Sequence, residues 1–96
     1  AAAYAALERL AAAGLHVVPV TGRPAGWCDM VARVWPVAAV VGENGALWYA
    51  HDHATRRMRR HHAQEEATRL ANRARLETLA AAAMRAVPGA RIAADQ

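Results

Sequence analysis

The chain contains no lysine, a single cysteine and no apolar run of membrane-spanning length. One thiol, Cys28, cannot close an internal disulfide or build a thiolate metal cage, a usage that suits a reducing compartment. Without about 20 consecutive apolar residues no transmembrane helix is expected. The opening Ala1-Ala2-Ala3-Tyr4 lacks the charged, then apolar, then cleavable order of a secretory signal, so the expected location is cytoplasmic. No Gly-x-Gly-x-x-Gly occurs. The stretch Thr21 to Gly26 begins like a Thr-Gly-x-x-x-Gly nucleotide loop, but Cys28 stands where a further glycine would admit a pyrophosphate, which argues against a dinucleotide ligand. Alanine-rich helical stretches apart, no repeat or low-complexity segment is found.

What is present is 96 residues at 55% hydrophobic, enough for one small domain or a piece of a larger one. The net charge is +4 and the pI about 10.6. All twelve basic residues are arginine, and many are interleaved with Glu or Ala rather than gathered, so neither a nucleic-acid nor a membrane partner is expected.

Along the chain, Tyr4, Leu7 and Leu10 recur at helical spacing within an alanine-rich stretch, predicting a helix over 2–13 whose stripe packs on a sheet and which Gly14 ends. The β-branched Val17, Val18 and Val20 favour a strand over 15–20. Pro24 suits the first position of a second helix reaching Trp35, with Trp27, Met30, Val31, Val34 and Trp35 on its buried face. Pro36 closes that helix, and the apolar run 37–41 predicts a strand covered on both sides. Asn44-Gly45 then predicts a tight turn into a strand at Leu47-Trp48-Tyr49, with His51-Asp52-His53 as the next turn and a return strand near 57–61. A long helix follows over 63–86, with Leu70, Leu76, Leu79 and Met84 among its inward residues, and Val87-Pro88-Gly89 stops it. The stretch 90–94 would open a further strand. The order helix, strand, helix, strand predicts an α/β fold with a parallel, Rossmann-like sheet and flanking helices.

In such a sheet ligands bind outside the carboxyl ends of the strands. Thr21-Gly22-Arg23 sits at one of these ends and offers a hydroxyl, backbone N–H groups and a guanidinium, the donors that suit a phosphate; its plain alternative is a strand-to-helix cap. Arg23 has a second possible partner in Glu43. Gly42-Glu43-Asn44-Gly45-Ala46 lies at the end of the next strand, where the Asn44 amide can orient a substrate, unless Asn and Gly serve only to accept positive φ. His51, His53, His61 and His62 lack zinc-ligand spacing and read as solvated. The run Arg56 to Arg60 can meet an anionic ligand but defaults to solvation. Cys28, with no adjacent base, reads as packed and inert.

Val18-Pro19-Val20-Thr21-Gly22-Arg23-Pro24, followed at the usual separation by Val40-Val41-Gly42-Glu43-Asn44-Gly45-Ala46, resembles the haloacid dehalogenase (HAD) superfamily, specifically its type IIB, Cof-like sugar phosphatases. Glu66 to Leu76 and Val87-Pro88-Gly89 resemble the opening helix of that family's inserted cap. The resemblance implies a partial Rossmann-like core over residues 1–62 and the start of a C2-type α+β cap over 63–96. It implies a phosphomonoester hydrolase acting on a small phosphorylated substrate, in particular a sugar phosphate. In that chemistry one aspartate attacks phosphorus to give an aspartyl-phosphate, and a second protonates the leaving group and activates water. Mg²⁺ and a lysine neutralise the developing charge. Thr21 matches the second motif and would bind the transferring phosphoryl group, with Gly22, Arg23 and Asn44 near the substrate.

The other three motifs are missing. Asp29, Asp52 and Asp95 stand alone, no Asp-x-Asp follows a strand, and there is no lysine. The nucleophile is expected before residue 1, and the lysine and metal-binding acids after residue 96. The chain alone is therefore expected to hydrolyse nothing and to hold no metal. A phosphosugar mutase of the same superfamily and a noncatalytic polyanion-binding module using the arginine run are the alternatives.

Overall fold

The computed structural model describes residues 2–94. The chain divides into two compact units, one ending at Ala63 and one beginning at Gln64.

The first unit is a mixed α/β arrangement of two helices and a three-stranded sheet. Helix α1 spans Ala2–Ala12 and ends as its composition predicts, Gly14 taking the left-handed φ of 81° that follows a helix at little cost to glycine. Helix α2 spans Ala25–Val34, directly after Pro24. Strands β1 (Val40–Gly42), β2 (Leu47–Asp52) and β3 (Arg57–His62) form the sheet in that order, with Val41 opposite Trp48 and Tyr49 opposite Arg60. The core is Cys28 and Ala32 of α2 against Val37, Val40, Leu47 and Tyr49, with Val17, Trp35 and Met58 packed at its border.

Both strand pairs are antiparallel, which corrects the parallel Rossmann-like sheet expected from the element order. Connections as short as 43–46 and 53–56 can join only antiparallel neighbours, since a parallel crossover needs a dozen residues or more. The expected strand 15–20 contributes a single parallel bridge, Val20 to Val41. Val17 O and Pro19 O accept from Ala38 N and Val41 N, and Thr21 N donates to Val41 O, each at 2.9 Å. Pro19 thus faces β1 but has no N–H to give it, and the ladder breaks at that residue.

The buried face of α2 also differs from expectation. Cys28 and Ala32 are fully enclosed, while Trp27, Met30 and Val34 are partly or largely exposed. Small residues let the helix approach the sheet, and the large ones spread around the contact. Helix α1 buries no residue completely; Tyr4 meets the ring of Trp35 edge-on and donates to Val34 O at 3.1 Å.

In the second unit, helix α3 spans Glu66–Ala86. Its expected inward residues are not covered, for Leu70, Leu76 and Leu79 are each more than 60% exposed. Residues 90–94 have no strand partner, and the strand expected there is one left unpaired within this chain. Gly89 adopts a φ of 85° after the helix.

Candidate functional site

Thr21 is fixed through both of its backbone groups. Its N–H is the last rung to β1, and its carbonyl accepts from Asn44 N at 3.2 Å. Two residues later Arg23 O accepts from Glu43 N at 3.1 Å. The turn 21–23 and the loop 43–45 are therefore bonded rim to rim, so Thr21, Gly22 and Asn44 lie together. Arg23 N donates to Thr21 Oγ1 at 3.1 Å. That bond uses a lone pair and orients the side chain, leaving the hydroxyl proton for an acceptor outside the turn.

Gly22 and Asn44 are matched in shape. A Cβ on Gly22 would lie 2.9 Å from Asn44 Oδ1, so the carboxamide rests where only glycine leaves room. The Gly22 N–H takes no partner among the described residues. The loop opposite is left-handed at Glu43 (φ 47°), Asn44 (φ 57°) and Gly45 (φ 100°). Asn and Gly accept such angles readily, whereas Glu does not. The Glu43 carboxylate accepts from Ala25 N at 3.2 Å, at the opening of α2, where a negative charge is favoured by the helix dipole. Glu43 therefore sits at the N-terminus of α2, while in the 21–23 turn the Gly22 N–H and the Thr21 hydroxyl proton remain to be donated.

Arg23 does not pair with Glu43. Its guanidinium lies over the Trp27 ring, 5.0 Å from the centroid. Beneath the rim, a cavity of about 240 Å³ opens below Thr21 and Arg23, walled largely by Trp27, Met30, Val31 and Trp35. Cys28 is fully buried there and its thiol lies 3.8 Å from Arg23 O. Burial, helped by the nearby Glu43 charge, pushes that thiol's pKa up and keeps it protonated.

A larger, open hollow of about 790 Å³ lies at the far end of the β2–β3 hairpin and includes His51, Asp52, Arg57 and Arg59. It contains neither Thr21 nor Asn44. Of the arginine run, Arg60 pairs with Asp29 at 2.9 Å, and Arg59 lies over Trp48, which stacks on His61. His51 and His53 approach through their Nδ1 atoms at 3.2 Å. No group of three His, Cys, Asp or Glu among the described residues is placed to hold a metal ion. The described residues thus gather no set of three such ligands for the Mg²⁺ that the resemblance implies.

The sequence pointed to Thr21, Gly22, Arg23 and Asn44. Cys28 is packed, as the sequence reading has it, whereas the roles of Glu43 and Gly42 were missed, because they depend on contacts between α2 and the end of β1. The signal for Glu43 was a charged residue in a loop whose left-handed angles favour Asn or Gly.

No protein-family model, no curated protein and no solved structure matches the chain. No helix among the described residues is long and apolar enough to cross a membrane.

Proposed function

We propose that the rim formed by Thr21, Gly22 and Asn44 binds the phosphoryl group of a small phosphomonoester, in keeping with the resemblance to HAD sugar phosphatases. The observation that carries this reading is the junction of the two loops, in which the Asn44 backbone bonds Thr21 while its carboxamide covers Gly22. The Thr21 hydroxyl and the Gly22 N–H then converge as donors, and the Asn44 amide and Arg23 flank them. Donors fixed before the ligand arrives lose little entropy on binding. In this reading the Val20–Val41 bridge is the piece of parallel sheet that brings both loops to one rim. The Trp27-lined cavity gives the sugar an apolar wall.

The work of these residues is to hold and orient the phosphoryl group. The chain has no Asp-x-Asp to supply a nucleophile, so no hydrolysis is assigned to it alone. Titration of the ¹⁵N-labelled chain with inorganic phosphate and with a hexose 6-phosphate tests the assignment. Gly22 N–H and the Asn44 side-chain amide are expected to shift, and Thr21→Ala to weaken binding about tenfold, the loss of one hydrogen bond to a charged group. Shifts confined to Arg57, Arg59 and His51 would place the anion in the hairpin hollow and overturn the reading.

A further inference from the structure

The turn that closes the β2–β3 hairpin brings two imidazoles together. His51 and His53 are two residues apart at the end of β2, and alternate residues of an extended chain fall on one side. Their rings meet edge to face with centroids 4.7 Å apart, and their Nδ1 atoms are separated by 3.2 Å. The backbone between them is held from several directions. The Asp52 carboxylate accepts from Ala54 N at 2.9 Å and from Thr55 N at 3.3 Å. Asp52 also pairs with Arg57 across the ladder, and Arg56 closes the turn at a left-handed φ of 58°. Residues 51–57 thus build the turn by themselves, and side chains carried on a fixed turn lose little freedom when they take a ligand.

We propose that His51 and His53 chelate a divalent transition-metal ion through their Nδ1 atoms, Cu²⁺ more tightly than Zn²⁺. Two nitrogens 3.2 Å apart, each about 2.0–2.1 Å from a shared ion, subtend roughly 100–105° there, between the ~90° of a square-planar and the ~109° of a tetrahedral site. In the metal-free chain one Nδ1–H donates to the other Nδ1. When the ion binds, the donating ring carries its proton on Nε2 instead, which frees both Nδ1 lone pairs. Imidazole ligands favour Cu²⁺ over Zn²⁺. No third His, Cys, Asp or Glu among the described residues joins the pair, so water completes the coordination. Arg57 and Arg59 line the same hollow. Their positive charge disfavours ions held by charge alone, such as Mg²⁺, and leaves those that bond to nitrogen. His61 and His62 are adjacent in β3 and point to opposite faces, so they form no such pair.

Titration of the whole 96-residue chain with Cu²⁺, followed by calorimetry and electron paramagnetic resonance, tests the chelate. One equivalent bound through two imidazole nitrogens is expected. His51→Gln and His53→Gln, both at the hairpin end, are each expected to weaken Cu²⁺ binding about tenfold or more, because the second ligand of a chelate binds at high effective concentration. Far-UV circular dichroism should be unchanged in both. His61→Gln and His62→Gln are expected to leave the affinity as it was. With diamagnetic Zn²⁺, the imidazole ¹⁵N spectrum should show metal on Nδ1 and hydrogen on Nε2 at residues 51 and 53. Affinity retained in both hairpin variants would overturn the proposal. So would a single-nitrogen Cu²⁺ signal, or Zn²⁺-induced changes centred on His16, His61 or His62.

Discussion

Gly42 is required for what lies against it and not for its backbone angles. Its φ of −122° is open to any residue, but a Cβ there would overlap the Cys28 sulfur and come within 3.0 Å of Leu47 Cδ1. Cys28 is fully enclosed and cannot withdraw. Gly42→Ala is therefore expected to destabilise the protein by about 1–3 kcal/mol, the usual cost of overpacking, as measured by urea denaturation. Removing the sulfur tests the cause. In a Cys28→Ala background the same Gly42→Ala change should cost about 1 kcal/mol less, and equal costs in both backgrounds would show that Cys28 is not the obstruction. The substitution also bears on the rim, because Gly42 precedes Glu43 and the thiol of Cys28 reaches Arg23 O.

At the scale of elements, Asp29 ties α2 to β3. It lies 2.6 Å from Arg33, one turn along its own helix, and 2.9 Å from Arg60 across the sheet. The Arg33 hydrogen bond, with Arg60 adding to it against some desolvation, holds the Asp29 carboxyl below the usual carboxylate range. A lowered folded-state pKa means that this stabilisation is complete above the unfolded value and disappears as pH falls through the folded one. Both arginines are nearly half exposed, so screening keeps the effect small. Asp29→Asn is expected to cost about 0.5–1 kcal/mol at pH 7, a cost that shrinks as pH falls through the lowered carboxyl pKa, in the difference between urea midpoints of the two proteins. A difference that persists undiminished at low pH would mean that the carboxylate charge is not its source. The same tie shows where sequence patterns reach their limit. Gly14, Pro24 and Asn44-Gly45 marked element ends because their preferences are local, and Thr21 and Asn44 were legible as a pair because each ends an apolar run. The direction of the sheet was misread because the apolar run at 15–20 carries Pro19 toward its neighbour, which reduces an expected strand to one bridge. The face of α2 was misread because large side chains suggested burial, while the helix meets the sheet through Cys28 and Ala32. Glu43 suggested a partner for Arg23 instead of for the Ala25 N–H it actually accepts from, because that N–H is distant in sequence.

Across the whole molecule, the distribution of buried residues separates what holds the fold from what decorates it. The enclosed hydrophobic residues, from Cys28 to Ala50, all fall within the first unit. Helix α3 buries none of its own residues. Its alanine-rich sequence and the Arg73–Glu77 pair at 3.2 Å favour the helix locally, but a helix without a packed face is only marginally stable by itself. A chain ending at Ala63 loses no enclosed residue and keeps the Ala63 N–H bonded to Ala46 O. It is expected to unfold cooperatively with a Tm within about 4 °C of the full chain, a shift corresponding to less than about 1 kcal/mol for a domain of this size. Phosphate-induced shifts at Gly22 and Asn44 should survive the truncation, since every bond that joins the two loops lies before Ala63. Loss of the cooperative transition on removing 64–96 would show that α3 covers apolar surface essential to the first unit. Retention of the transition with loss of the phosphate response would instead assign part of the anion site to residues beyond Ala63.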